Sequence, residues 1–259
     1  MKIFVCVKHV PDTAASIRLA GETGFDDSEI KFIASPYDEY GIEEAVSLVE
    51  KNDGEVVIVT VGKDAAVSTI RAAMAMGAHR AILIKIDSQF LDSNLTAKAL
   101  KAAIEQDGPS DSVDLIFTGK GSVDTESFQT QYRLAQLLEM PVVNEVSSLS
   151  IDDGKAVVER EIGSGEKQVI EMNLPCVIGA DRGLNEPRYP KFPDIMKAKK
   201  KKIHEIEFSS LELDISKAMV EIEKLELVPE RSGAKMIEGS VNDQADQIVK
   251  ILRQDEKVL

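Results

Sequence analysis

The stretch EVVIVTVG, residues Glu55–Gly62, decides the fold, because it is a continuous apolar run that ends in glycine. Such a run is typical of a strand buried on both faces of a parallel sheet, whereas a strand with one solvated face alternates apolar and polar residues. Three similar runs are KIFVCVKHV (residues 2–10), RAILIKI (80–86) and VDLIFTG (113–119). These runs predict a buried, mainly parallel sheet.

The segments between the runs have the apolar spacing of amphipathic helices. The positions in phase are Ile42, Ala45, Val46 and Val49, then Val67, Ile70 and Met74, then Leu95, Ala99 and Ala102. Gly77 ends the second segment, and Ser93 is the candidate N-cap of the third. The alternation predicts a doubly wound α/β fold, Rossmann-like and of the nucleotide-binding type, with flanking helices and right-handed crossovers.

The pattern changes in the second half of the chain. Residues 155–173 read as two alternating strands around GSG, and LPCVIGA (174–180) reads as another buried strand. Three prolines between residues 187 and 193 then predict a long surface loop. We expect a core over residues 1–203 and an extended C-terminal arm over 204–259. In the arm, Ser240 and Asp243 form a capping-box pattern before an apolar stripe of Val241, Ala245, Ile248 and Leu252.

Charge and composition exclude several classes of function. The net charge of −14 disfavours nucleic-acid binding, although KAKKKK (residues 197–202) is either a site for an anionic partner or a solvated basic face. The apolar runs are shorter than the about 18 residues of a membrane span, which predicts a soluble chain. Two cysteines without a CxxC pattern and three scattered histidines predict buried thiols in a reducing compartment, no metal site and no catalytic triad.

The turn GKGSVDTESFQT, residues 119–130, is the candidate ligand site. Gly119 and Gly121 follow a predicted strand, so their backbone N–H groups are expected to approach a phosphate near the start of a helix over 125–139. Hydroxyls at Ser122, Thr125, Ser127 and Thr130 are further donors. Neither GxxxxGK[ST] nor GxGxxG is present, and the acids at 124 and 126 favour a monophosphate or a ribose over a triphosphate. Phe128 and Tyr132 are expected to face the core.

The segment DRGLNEPRYPKFPDIMKAKKKKI, residues 181–203, resembles the β subunit of electron transfer flavoproteins. The similarity extends to MKIFVCVKHV, SPYDEYGIEEAV, IRAAMAMGAHRA, VEREIGSG and GAKMIEGSVNDQADQIVKIL, so that it covers nearly the whole chain. The resemblance implies an electron carrier rather than an enzyme with its own catalytic residues. It also implies a heterodimer with an α subunit that holds most of the FAD, and a structural AMP in the β subunit.

Two sets of site residues are implied by the resemblance. The AMP contacts would fall on Cys6, Ser35, Val61, Ser122, Thr125, Phe128, Gln129 and Thr130, beside Gly119 and Gly121 of the turn. Phe128 stands where the family commonly has a small polar residue. Residues 184–195 correspond to a recognition loop, with Phe192 as apolar anchor and Leu184, Tyr189, Ile195 and Met196 as further contacts. Glu161 corresponds to the acid that steadies the FAD domain.

The implied partners are flavin-dependent dehydrogenases such as acyl-CoA dehydrogenases, and a quinone oxidoreductase. The arm is expected to pack on the α subunit, in the cytoplasm or, in a eukaryote, the mitochondrial matrix. One alternative is a bifurcating relative with a second FAD in place of AMP and NADH as donor. VPDT (residues 10–13) favours that branch, whereas NEPRY and the lysine run favour the ordinary one. A freestanding adenine-nucleotide sensor is the alternative from another class.

Overall fold

The computed structural model describes residues 1–109, 112–229, 233–234 and 236–259. The strands are β1 Lys2–Cys6, β2 His9–Pro11, β3 Leu19–Ala20, β4 Gly24–Phe25, β5 Phe32–Ala34, β6 Glu55–Gly62, β7 Arg80–Lys85, β8 Leu115–Gly119, β9 Val142–Asp152, β10 Lys155–Gly163, β11 Glu166–Asn173, β12 Cys176–Ala180 and β13 Ile203–Glu207. The α-helices are α1 Pro36–Asn52, α2 Val67–Met76, α3 Ser93–Asp107, α4 Thr130–Leu138, α5 Phe192–Ala198 and α6 Val241–Lys250.

Nine strands form the central sheet, in the order β11-β10-β9-β12-β8-β1-β6-β7-β13. All neighbours from β9 to β13 in this order run parallel, whereas β10 pairs antiparallel with both β9 and β11. The predicted doubly wound, mainly parallel α/β sheet is therefore confirmed. The antiparallel edge is the hairpin that the GSG turn predicted.

Apolar side chains fill both faces of this sheet. The core cluster on the α1 and α2 face contains Ile3, Val5 and Phe117, and the cluster on the α3 and α4 face contains Phe4 and Ile116. Successive side chains of β1 and β8 therefore point to opposite faces, and both faces are covered by helices. This double burial is the reason that the strands appear in the sequence as unbroken apolar runs.

Helix boundaries differ from the sequence expectations at two places, the starts of α3 and α4. The N-cap of α3 is Asp92 rather than Ser93, because the Asp92 carboxylate accepts a hydrogen bond from the Leu95 N–H at 2.7 Å. Helix α4 begins at Thr130 rather than near residue 125, since Glu126 and Phe128 adopt positive φ values that a right-handed helix excludes. Helix α5 ends at Ala198, so most of the lysine run lies beyond it.

The chain divides into two compact units, Met1–Leu225 and Glu226–Leu259. The boundary expected after residue 203 falls at the first residue of β13, which pairs with β7 as an edge strand of the sheet. The sequence reading missed β13 because IHEIE has polar, exposed positions that only an edge strand permits. In the second unit, the Ser240–Asp243 capping box is formed as expected, and no residue of α6 is buried.

Helices in the described part of the chain are all too short or too polar to cross a bilayer.

Replacing Phe117 by alanine tests the central packing. Phe117 is fully buried on β8, where the neighbouring α1 approaches closely at Gly41. Loss of the ring leaves a cavity that the two-sided packing cannot close, so the free energy of unfolding should fall by about 3–5 kcal/mol in urea titrations. The exposed Val169→Ala on β11 is the control, with an expected change below about 0.5 kcal/mol. Equal effects of the two substitutions on the free energy of unfolding would contradict the central packing role of Phe117.

Candidate functional site

The candidate site lies at the carboxyl ends of β1 and β8, which are neighbours in the sheet. From β1 the chain passes through α1 to β6 on one side, whereas β8 follows α3 and lies on the other side. Connections that leave adjacent strands in opposite directions open a crevice, and doubly wound folds bind ligands in that crevice. The loop of residues 120–129 borders it.

The carboxylate of Asp38 joins the two strand ends. One oxygen, Oδ2, accepts the backbone N–H of Lys8 at 2.7 Å, and Oδ1 accepts the backbone N–H of Gly119 at 2.9 Å. Asp38 lies in the first turn of α1 and is buried. A single side chain thereby fixes the positions of β1, β8 and α1 relative to one another.

Burial is the main cause of the unusual titration of Asp38. It raises the pKa of this carboxyl from 3.8 to about 7, and the negative charge of Asp124 acts in the same direction. The two backbone N–H groups and the positive charge of Lys8 lower the pKa and offset part of the rise. Asp38 therefore takes up a proton in the folded chain at a pH where an exposed aspartate is fully ionised.

Gly119 has a different role from the one that its position in the turn suggested. Its N–H is donated to Asp38 and is not free to meet a phosphate. A Cβ atom at this position would lie 2.5 Å from Asp38 Oδ1 and 2.7 Å from Tyr37 Cβ. Glycine is thus required by the close approach of α1 to the end of β8.

Lys8 is a site residue that the sequence reading did not single out. Its Nζ lies 2.7 Å from Asp124 Oδ2 and 3.3 Å from Ser122 Oγ, and Ser122 Oγ lies 2.9 Å from Thr125 Oγ1. Lys8 therefore neutralises Asp124, one of the two acids that disfavoured a triphosphate, and adds a cation beside two of the expected hydroxyls. The sequence signal that could have found Lys8 is its position two residues beyond the buried strand β1.

Phe128 does not face the core from a helix, as its spacing had suggested. It precedes α4, has a φ of 50°, and is 37% exposed. Its ring lies against Gly121, where a Cβ atom would be 2.7 Å from Phe128 Cδ1. Tyr132 is also exposed, so neither of the two aromatic residues that were expected to face the core is buried. Gly121 is thus needed for the ring to close over the loop.

The other expected nucleotide contacts lie on the strands and at the helix start. Cys6 belongs to the core cluster on the α3 and α4 face. Val61 is partly buried and packs against the same cluster. Gln129 is the N-cap residue and Thr130 the first residue of α4. Ser35 precedes α1, and its N–H donates to the Lys8 carbonyl at 3.0 Å. The structure thus brings all of these positions to one end of the sheet.

Buried hydroxyls provide a test of whether a polar ligand fits here. Among the described residues, Ser35 Oγ and Thr118 Oγ1 are buried without a hydrogen-bond partner. Thr118 follows Phe117, which pairs with Val5, so Thr118 lies level with Cys6. An unpaired buried hydroxyl costs free energy, and a bound polar group would remove this cost. The residue set is therefore compatible with a nucleotide.

The Cys6 thiol itself stays protonated, because burial raises its pKa far above the ordinary value.

Lys120 connects the site loop with Asp181, which follows β12 and precedes residues 184–195. Its Nζ lies 3.0 Å from Asp181 Oδ2 and 4.9 Å from the centre of the Tyr37 ring. Its carbonyl accepts hydrogen bonds from Gln131 Nε2 and Asn144 Nδ2. The first residue of the site loop is thus held in place by groups from four different segments.

Apolar side chains project from the loop that follows β12. Tyr189 is 96% exposed and Phe192 is 75% exposed, and Ile195 and Met196 of α5 are also exposed. We call these four residues the apolar loop surface. Leu184 differs, because it packs against the core and anchors the base of the loop. Glu161 is exposed near the end of β10.

No group of three or more potential metal ligands was found within the described residues.

Comparisons with known proteins agree with the resemblance found in the sequence. A family model described as electron transfer flavoprotein domain matches residues 23–211. The chain is 37% identical to the electron transfer flavoprotein subunit beta of Bacillus subtilis (strain 168), over all of both chains. It is 37% identical to the mitochondrial subunit beta of Oryza sativa subsp. japonica, again over all of both chains. Identity to the subunit beta of Mus musculus is 36%, over 92% of this chain and 93% of the relative.

The titration of Asp38 predicts how stability depends on pH. Between pH 3.8 and about 7 the folded chain binds a proton that the unfolded chain has released. Raising the pH through this interval therefore favours unfolding. Urea titrations should show the free energy of unfolding of the wild type falling with pH relative to Asp38→Asn, which cannot titrate. The exposed Asp87→Asn is the control and should follow the wild type. If the free energy of unfolding had the same pH dependence in the wild type and in Asp38→Asn, the raised pKa of Asp38 would be refuted.

Proposed function

Because this chain belongs to the electron transfer flavoprotein β-subunit family, we propose that it forms a heterodimeric electron carrier with an α subunit. The carrier takes electrons from flavin dehydrogenases, such as acyl-CoA dehydrogenases, and passes them towards a quinone oxidoreductase. The observation that carries this proposal is the match over the full length of named β subunits, which includes both the strand-end site and the exposed loop. We place the carrier in the cytoplasm, or in the mitochondrial matrix of a eukaryote.

We further propose that the strand-end site binds AMP. Lys8, Ser122 and Thr125 offer a cation and two hydroxyls to a phosphate, and the N-terminus of α4 adds unpaired N–H groups and a positive dipole end. The buried hydroxyls of Ser35 and Thr118 are available to the nucleoside. One cation balanced by Asp124 suits a monophosphate better than a triphosphate.

In the proposed carrier this chain positions groups and contributes no catalytic acid, base or nucleophile. FAD, held mainly by the α subunit, supplies the redox chemistry. Glu161, exposed on β10, is available to pair with a cation of the α subunit and so to steady the flavin domain. The apolar loop surface docks the dehydrogenase, with Phe192 as the anchor in an apolar pocket.

The C-terminal arm is proposed to pack on the α subunit. Its helix α6 carries apolar side chains at Val241 and Ile248 that are 81% and 46% exposed. An amphipathic helix with no buried residue needs another apolar surface to stabilise it.

Two other functions are kept as alternatives. A bifurcating carrier would bind a second FAD in the same site and take electrons from NADH, and VPDT at residues 10–13 favours it. A freestanding adenine-nucleotide sensor would be a stable, flavin-free homodimer, but it would have no use for the apolar loop surface.

Nucleotide content distinguishes these functions. The chain is co-expressed with its α subunit, the purified complex is denatured, and the released FAD and AMP are quantified by chromatography. We expect one FAD and one AMP per heterodimer. Two FAD and no AMP would instead indicate the bifurcating carrier, and a flavin-free homodimer the sensor.

A matched pair of lysine variants tests the AMP site itself. Lys8→Met should reduce the AMP retained after purification at least about tenfold, because it removes a charge-assisted hydrogen bond and leaves Asp124 unpaired. Lys31→Met removes a more exposed lysine that pairs with Asp12, and its AMP content should equal that of the wild type. Equal AMP content in the two variants would disprove the role of Lys8.

Phe192→Ala tests the docking role of the loop. Truncation of a central aromatic anchor typically weakens an interface by about 2 kcal/mol or more. The KM of the dehydrogenase for the carrier should therefore rise at least tenfold, with unchanged FAD content. Val169→Ala on β11, which also truncates an exposed apolar side chain, is the control. An unchanged KM for Phe192→Ala would show that the loop does not dock this partner.

A further inference from the structure

We propose that two polar clamps hold the apolar loop surface in its binding conformation before a partner arrives, and that Arg188 and Lys201 are the positioning residues. This inference rests on the proposed docking function. The apolar loop surface lies on a proline-containing segment that projects from the core, and exposed segments of this kind are ordinarily mobile. The clamps lie on its two sides, at residues 185–188 and at residues 198–201.

The first clamp ties the loop to α1 through Arg188. The guanidinium donates to both oxygens of Glu43 at 2.8 and 2.9 Å, and to both oxygens of Glu50 at 2.6 and 3.0 Å. The backbone N–H of Arg188 also donates to Glu43, at 3.0 Å. Glu43 is buried and receives a further hydrogen bond from Ser47. A planar guanidinium held by two carboxylates is fixed in both position and orientation.

Asn185 extends the first clamp. Its Nδ2 donates to the Tyr40 carbonyl at 3.0 Å and to Glu44 Oε2 at 2.9 Å. Leu184 packs against the core beside it. The loop is therefore attached to one face of α1 over more than two helical turns, from Tyr40 to Glu50.

The second clamp joins α5 to α2 by reciprocal contacts with carbonyls. Arg71 of α2 donates from Nη1 to the carbonyls of Ala198 and Lys201, each at 2.6 Å. Lys201 donates from Nζ to the carbonyls of Met74 and Ala78, at 3.0 and 2.6 Å. Arg71 thus bonds carbonyls at and beyond the end of α5, and Lys201 bonds carbonyls near and beyond the end of α2. Lys201 therefore has a positioning role that neither reading of the lysine run foresaw.

Between the clamps, the four residues of the apolar loop surface remain exposed. A side chain that is already ordered loses little conformational entropy when it is bound, so the clamps should strengthen docking without contacting the partner. The exposed residues around this surface include Lys191, Lys199 and Lys200, in a chain whose net charge is −14. The partner that fits is a flavin dehydrogenase with an apolar pocket surrounded by acidic side chains.

The experiment combines hydrogen exchange with kinetics on the intact heterodimer. Amide exchange is measured over residues 184–196, and electron transfer from an acyl-CoA dehydrogenase is measured against carrier concentration. Arg188→Ala should accelerate exchange and raise KM, each about tenfold, with kcat within twofold of wild type. Arg188→Lys should give exchange rates and a KM between those of the wild type and Arg188→Ala, because an ammonium group cannot form paired hydrogen bonds with both carboxylates. Glu50→Gln, which removes only the exposed carboxylate, should change both quantities in the same direction by less.

Matched controls separate a clamp from a general loss of charge. Arg182→Ala removes an exposed arginine near the same loop and should leave exchange and KM unchanged. Lys201→Met should act like Arg188→Ala, whereas Lys200→Met should leave loop exchange unchanged.

Two outcomes would overturn the proposal that the clamps hold the loop ready for docking. One is faster loop exchange in Arg188→Ala with an unchanged KM, and the other is unchanged exchange. If Phe192→Ala also leaves KM unchanged, the docking function fails, while the exchange data still show whether the loop is held.

Discussion

The structure depends on the buried carboxylate of Asp38, which bridges two strands at the point where the sheet changes its winding direction. At that point β1 and β8 are neighbours, but their connections run to opposite sides of the sheet. Gly119 N–H at the end of β8 is buried, and Lys8 N–H just beyond β1 is partly buried, so both need a hydrogen-bond acceptor. Asp38 accepts both of them and brings the first turn of α1 with it. The approach is close enough to require glycine at position 119.

Helix α1 consequently becomes the common support of both functional regions. Near its start it carries Asp38, whose partners begin the site at the strand ends. Further along, Glu43 and Glu50 hold Arg188 and with it the exposed loop. A helix packed against the central strands is a rigid support, and groups on it keep fixed distances. The site at the strand ends, to which we assign AMP, and the loop that we assign to docking therefore have a shared frame, and Lys120 pairs with Asp181, three residues before that loop.

How much of this could be predicted depends on the range of the interactions. The strands were recognisable because burial on both faces leaves continuous apolar runs, and the hairpin because GSG is a turn signal. Phe128 was misassigned because its spacing continued that of α4, whereas its positive φ comes from the loop closing over Gly121. Lys8 and Asp38 were missed because their partners are distant in sequence, and no local pattern marks an acid that accepts N–H groups from two separate strands.

The sequence by itself determined the double burial of the sheet, the hairpin at its edge, the capped helix of the arm and the membership of a family, because these follow from periodicity, turn residues and literal motif matches. Only the tertiary structure decided that Gly119 serves packing, that Lys8 neutralises Asp124, that β13 joins the sheet, and that Arg188 and Lys201 hold the loop. The physical reason is that each of these depends on atoms brought together by folding from distant parts of the chain. Local propensity carries no information about such contacts, whereas close packing and the need to satisfy buried charges and N–H groups fix them once the sheet has formed.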